Sequence, residues 1–297
     1  MTALVLLDYY NFNDYIITKY PQNYEHKGKV AYIPENKEIS IQTLLEMLLV
    51  YSANDAAYIS AMAVSENVDQ FLVLMNNKAK TYGMNDTNFM NPDGMDDVNH
   101  YTTINDLLKL SIKIMDSKEI ISIVSKQNFV SNITGNEKIY DTTNLLIKEG
   151  FIGIKTGWTD KAGLTFIGLN QNSNREILTI VNKSKVDEKK YKHFSDTKLL
   201  YKTSVETFNY YKIISKNSVI FQVRNSNGIE TLRSQKDWVE FININKINTV
   251  IFTDYVDNFI TLTFNKYINI YELDESISNV KWKFNPLKIF NIIANQN

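Results

Sequence analysis

YSANDAA at residues 51–57 and GIKTGWTDKAG at residues 153–163 decide how this chain is read. Ahead of the first, Ser40 caps the strongly apolar IQTLLEMLLVY, which predicts a helix running into Ser52-Ala53-Asn54. A second helix, DAAYISAMAV, is predicted straight after it. In the second stretch FIGIKTGW reads as a strand, followed by strands LTFIGLN and REILTIVN, with breaks at Asp160–Gly163 and Asn172–Asn174. A Ser-x-Asn therefore sits in the gap between two helices, and Lys155-Thr156-Gly157 sits on a strand. Each tripeptide alone is a weak signal. Ser52 also reads as a helix-terminal serine, Asn54 as a cap for DAAYIS, and Lys-Thr-Gly as a strand closed by a turn.

On either side of these stretches the pattern is plainer. Residues 1–20 read as a helix with no capping residue ahead of its apolar face except Thr2. Ser65 is expected to open a helix carrying Phe71, Leu72, Met75 and Ala79 at helical spacing. Gly83 to His100 is a turn-rich loop containing NPDG, with Asp96 and Asp97 read as solvated charge. Thr103 starts INDLLKLSIKIM, Lys118 to Ser125 make a short helix, and residues 186–212 return to helix. Beyond about 216 come SVIFQVR, GIETLRS, WVEFININ, NTVIFTDYV, FITLTFN and YINIYEL, short strands that suggest a β-sandwich-like domain. The expected division is 1–212, a small all-β domain at 213–283, and a tail at 284–297.

With 44% hydrophobic and 12% aromatic residues the chain can bury ordinary cores. A net charge of -1 offers no basic field for nucleic acid. Cys 0 removes disulfides, thiolate chemistry and cysteine-bound metals. His26, His100 and His193 lack metal-ligand spacing, so neither a metal nor another cofactor is expected. No apolar run reaches the ~20 residues that span a bilayer. The opening MTALVLLDYYNFNDY has neither a basic leader nor a small-residue cleavage site, so no signal peptide is read there.

Taken together and in order, SAN with its flanking NDAA, NPDG…NHYTTINDLLKLS, TTNLL and GIKTGWTDKAG resemble the serine-type D-alanyl-D-alanine carboxypeptidases. These are the low-molecular-weight penicillin-binding proteins, and the resemblance covers the first ~210 residues. Such enzymes carry S-x-x-K, S-x-N and K-T-G. No S-x-x-K precedes Ser52 here, and MTAL is similar to the family's residues just past that tetrad. The resemblance thus implies an N-terminally truncated copy, inactive as written, unreactive with penicillin and poorly soluble through an exposed sheet edge. The implied fold is α/β (α+β): a penicillin-binding protein/β-lactamase-like antiparallel sheet flanked by helices, with a helical subdomain.

The resemblance also implies roles. Ser52 would relay a proton toward the leaving D-alanine nitrogen, and Asn54 would bond the substrate backbone and orient the S-x-x-K lysine. Lys155 would set positive charge beside the terminal carboxylate, and the Thr156 hydroxyl would bond it. Gly157 would leave room for substrate lying antiparallel to its strand, and the Trp158 N–H would be one oxyanion donor. The implied partners are peptidoglycan pentapeptides ending in D-Ala-D-Ala and β-lactams, in the bacterial envelope outside the cytoplasm. Peripheral membrane contact through the lysine-bearing tail is a further expectation, against simple packing on the β domain. A β-lactamase of the same fold and a non-catalytic D-Ala-D-Ala-binding protein are the rival readings. Ala53 in place of the Asp of S-D-N and the trailing β domain speak against the first.

Overall fold

A computed structural model describes residues 1–272 except 173–174, 187, 189–190, 226–227, 235, 244–250, 257–258 and 265–266. The expected tail at 284–297 lies outside them. The chain divides into two compact units, Met1–Tyr201 and Lys202–Asn297.

The expected helix over 1–20 is only α1 (Thr2–Leu6). Asp8 to Asp14 form turns, and the Asp14 carboxylate accepts the Asn11 N–H at 2.7 Å. The next residues form β1 (Tyr15–Ile17), with Ile16 buried between two exposed neighbours. That two-residue alternation suits a strand paired with β2 (Glu38–Ser40), and the pairing is antiparallel. Ser40 does cap α2 (Ile41–Glu46), accepting the Thr43 N–H at 3.1 Å. The α-helix stops there, however, and Met47–Tyr51 form a π-helical turn. α3 (Asn54–Val64) comes next. Asn67, not Ser65, caps α4 (Val68–Thr81), while Ser65 ends α3. Thr103 caps α5 (Ile104–Met115) as expected, and Ser117 caps α6 (Lys118–Val124).

A hairpin of β3 (Asn128–Ser131) and β4 (Lys138–Asp141) leads to the main sheet of this unit. That sheet is β5 (Phe151–Thr159), β6 (Gly163–Asn172) and β7 (Arg175–Ser184), antiparallel in that order. α6 packs on β5 and α5 on β7. Leu44, Leu45, Val50, Ile59, Ile123, Ile154 and Leu169 share one buried core, so the helices that end at Ser52 and the strand that carries Lys155 rest on the same apolar mass. Leu146, Phe151, Phe166 and Phe194 form another.

The helix expected at 186–212 is α7 (Lys192–Thr207), and the chain turns to strand at β8 (Phe208–Ile214). In the second unit β8 pairs with β11 (Trp238–Asn243), β9 (Val219–Asn225) with β10 (Gly228–Arg233), and β12 (Ile251–Val256), β13 (Phe259–Phe264) and β14 (Tyr267–Glu272) form a three-stranded sheet. Each of these pairings is antiparallel. Among the described residues no helix is long and apolar enough to cross a membrane.

Candidate functional site

The π turn decides where Ser52 points. Its extra residue per turn breaks the α2 register one step before the motif, a device frequent at functional sites. Ser52 then takes a left-handed conformation, φ 67 and ψ 43, and the Ala53 N–H returns to Met47 O at 2.8 Å. A non-glycine residue there costs about 1–2 kcal/mol. The strain is held because Ala53 is buried in the core on one side. On the other side the Ser52 hydroxyl accepts a bond from Lys155 Nζ at 2.6 Å.

That bond joins the two tripeptides across the cleft. Lys155, Thr156 and Gly157 face Ile167, Phe166 and Thr165 of β6 in register. The half-buried Lys155 ammonium also donates to Thr156 O at 2.9 Å. No carboxylate of the described residues ion-pairs with it. Burial, and secondarily the charge of Lys29, push its pKa down from 10.5 to about 8. The Thr156 hydroxyl lies 2.6 Å from that of Thr143, whose own N–H donates to Val50 O at 3.2 Å. Gly157 has a reason within the sheet itself, since a Cβ there would sit 2.6 Å from Thr165 Oγ1. Trp158 is 47% exposed at the cleft mouth.

Asn54 stands on the opposite lip. Its backbone N–H donates to Lys29 O at 2.7 Å and its side-chain amide to Lys27 O at 3.0 Å. Gly28 lies flush between them at φ +71, where a Cβ would collide with the Asn54 amide. The loop is clamped from below by Asp55, fully buried, whose two oxygens accept Ala31 N–H and Ile33 N–H at 3.0 Å each.

Sequence reasoning misses Lys29, Asp55 and Thr143, because each is tied to the site by a contact distant in sequence. NDAA and TTNLL contain two of them as flanking letters only. Asp96 needs correcting. It is not simply solvated charge, because its carboxylate accepts Thr159 Oγ1 at 2.7 Å and Lys161 N–H at 3.2 Å, fastening the 91–97 loop to the end of β5. Replacement of Asp96 by Ala is expected to cost about 1 kcal/mol and to free the turn after β5. Hydrogen exchange should then speed up at residues 158–163, and unchanged protection there would contradict the fastening.

The three histidines are dispersed. His26 packs against Tyr20 and Tyr24, His100 against Phe89, and His193 against Phe194. Among the described residues no group of three potential ligands could hold a metal.

An antiparallel sheet covered by helices, with an S-x-N turn and a K-T-G strand meeting in one cleft, defines the penicillin-interactive serine enzymes as a class. Within that class the chain belongs to the D-alanyl-D-alanine carboxypeptidase family, peptidase S11, whose model matches residues 1–185. It is 30% identical over 213 residues to the D-alanyl-D-alanine endopeptidase of Escherichia coli, covering 70% of this chain and 67% of that one. It is 26% identical over 157 residues to the D-alanyl-D-alanine carboxypeptidase DacF of Bacillus subtilis, covering 52% of this chain. The match spans only 40% of the length of that relative. Among solved structures, the D-alanyl-D-alanine carboxypeptidase DacD of Francisella tularensis superposes with a TM-score of 0.72 at 16% identity, over 92% of this chain and 84% of that one. Penicillin-Binding Protein D2 of Listeria monocytogenes, in its cefotaxime-bound form, gives 0.58 at 28% identity over 68% of this chain and 82% of that one. The fold is thus of the penicillin-binding protein type.

Proposed function

We propose that this chain serves a serine-type D-alanyl-D-alanine carboxypeptidase of the bacterial envelope, and that its cleft holds the D-Ala-D-Ala end of peptidoglycan pentapeptides. The single observation carrying this reading is the Lys155–Ser52 bond of 2.6 Å, which brings a carboxylate-seeking cation and a proton-relaying hydroxyl to one point. Among the described residues the ammonium is bonded there to neutral oxygens only. A substrate carboxylate arriving at it exchanges a neutral acceptor for a charged one, a bond worth roughly twice as much. Thr143 fixes the Thr156 hydroxyl so that it can serve the same carboxylate. Ser52, bonded to an amine poised near neutrality, is placed to pass a proton to a leaving nitrogen. In this reading Asn54 would meet the substrate backbone, the glycine strand would leave space for it, and the Trp158 N–H would donate to the developing oxyanion. In the family pattern the attacking serine and its lysine come from S-x-x-K, ahead of Ser52. The residues here supply recognition, proton relay and part of the oxyanion hole.

β-Lactams, which carry a carboxylate beside a reactive amide, fit the same cleft, and the cefotaxime-bound Listeria relative supports that extension. Envelope placement and a peripheral membrane hold through 284–297 belong to this reading on the family's account alone. A second substrate form, the cross-linked peptide, is favoured by the 30% identity to the Escherichia coli endopeptidase. Release of D-alanine from pentapeptide against cleavage of cross-linked dimers separates the two.

The test is calorimetric titration with an acyl-D-Ala-D-Ala peptide and its C-terminal amide. The free acid should bind at least about tenfold more tightly, since only it offers Lys155 a charged acceptor. Its affinity should be flat from about pH 5 to 8 and then fall by up to about tenfold per pH unit. The sign comes from linkage: above about 8 the free site has lost the proton that the carboxylate needs, so binding must take one up. Equal affinities for acid and amide would end this reading.

A further inference from the structure

A second cation stands at the cleft in a role that the reaction leaves unused. Lys29 Nζ lies 4.0 Å from the centroid of the Tyr51 ring, one residue before Ser52. Its backbone is held by the Asn54 N–H, and the turn before it by the Asn54 amide. A lysine on a free loop would sample many positions, whereas this one is fixed at its main chain and rests its ammonium on a ring. Tyr51 is itself set edge-on against the buried Tyr140, with ring centroids 5.0 Å apart. Lys138 comes to the same pair of rings from the β3–β4 hairpin, 6.0 Å from Tyr51 and 5.0 Å from Tyr140.

Both lysines are exposed to solvent. Among the described residues neither ion-pairs with a carboxylate. Burial draws the Lys29 pKa down, and the field of Asp141, the carboxylate that reaches it among the described residues, does not offset that. With Lys155 across Ser52, the cleft is bordered by cations on both sides. Like charges gathered with no ion-paired carboxylate among the described residues repel one another, and a further anion relieves them.

We propose that Lys29, with Lys138 behind it, reads a second carboxylate, carried by the acyl part of the peptide whose terminal carboxylate Lys155 takes. The substrate class is therefore a dianionic D-Ala-D-Ala peptide in preference to a neutral-chain one. The proposal rests on the reading of the cleft as a D-Ala-D-Ala site and adds a specificity determinant on its far lip. A peptide carboxylate there exchanges water for one or two charge-assisted bonds over an aromatic ring, a setting in which Arg and Lys contacts gain strength.

The experiment titrates the whole 297-residue chain with two D-Ala-D-Ala peptides that differ at one place. One carries a carboxylate on its acyl-side residue and the other the isosteric carboxamide. The carboxylate peptide should bind about tenfold more tightly at low ionic strength, and the ratio should shrink toward about threefold at about 0.5 M salt, because the lip is exposed. Lys29→Met should bring the ratio close to one, and Lys138→Gln should lower it partway. Equal binding of the two peptides by the unaltered chain overturns the proposal while leaving the D-Ala-D-Ala reading in place. So does an equal loss for both peptides in Lys29→Met, which would mark Lys29 as a prop for the Asn54 loop. Binding of neither peptide would bring down that reading and the proposal with it.

Discussion

Lys155→Met is expected to lower affinity for acyl-D-Ala-D-Ala by about 10- to 150-fold, the equivalent of a charge-assisted bond worth ~1.5–3 kcal/mol. Stability should move the other way. A lysine whose pKa falls from 10.5 to about 8 on folding is a charged group that the folded state disfavours at neutral pH. Methionine fills similar space with no charge to desolvate. After discounting for the half-buried setting, the variant should hold its stability or gain ~1–2 kcal/mol. The pH profile gives the same sign. Between about 8 and 10.5 the unfolded chain binds more protons at this site than the folded one, so the unaltered protein gains stability as pH rises through that window. Lys155→Met should lack that rise. Urea unfolding at about pH 7 and about pH 10, on either side of most of that window, reads the stability effect. Titration with the peptide reads the other. A variant that binds as tightly as the unaltered protein would remove Lys155 from recognition.

The second large effect belongs to Asp55→Ala. Asp55 is fully buried and its oxygens accept Ala31, Ile33 and Ala56 N–H groups at 3.0–3.1 Å. Truncation leaves at least two loop donors with no acceptor in a dry setting, at ~1–3 kcal/mol each, so a loss of roughly 3–5 kcal/mol is expected. Tyr20 and Tyr24 pack on each other in the same loop, and burial, with the Asp55 carboxylate next, holds both hydroxyls well above the ordinary phenol range. With Asp55 gone the 27–33 segment should exchange its amides quickly, and Asn54 should lose both of its loop acceptors. Peptide affinity would then fall together with stability, in contrast to Lys155→Met. Asp55→Asn keeps one accepting oxygen and turns an amide against the other N–H, so an intermediate loss is expected. A stability change below about 1 kcal/mol in Asp55→Ala, less than one orphaned buried donor costs, would show that the loop is held by other contacts.

These two residues mark the limit of what can be read from the chain as letters. Lys155 is legible because its surroundings are local. FIGIKTGW is apolar and β-branched enough to form a strand on its own pattern, and LTFIGLN and REILTIVN supply partners within a few residues. The caps of Ser40 and Thr103 are legible for the same reason, since a cap bonds an N–H three residues on. Asp55 looks like the first acidic residue of a helix, a common place for one. Its acceptors' partners are 22 and 24 residues upstream, and nothing in NDAA announces them. Asp96 passes for solvated charge because Thr159 is 63 residues away. The helix expected at 1–20 ends at Leu6, and further on three residues, Tyr15–Ile17, find a strand to pair with. A stretch that short carries too little periodicity to separate 2.0 from 3.6.

The order of residues was enough for the strands and helices of the first 185 residues in outline, for the sequence of the two motifs, and so for the family. Local hydrogen bonding and apolar spacing are written within windows of a few residues, and those windows suffice for it. Folding in three dimensions was needed to turn Ser52 left-handed out of a π turn onto Lys155, to clamp the opposite lip through Asp55, and to set Lys29 over Tyr51 beside them. Those placements come from chain segments brought together by burial of a shared core. The energies that fix them, desolvation of an ammonium and satisfaction of buried N–H groups, exist only once water has been excluded.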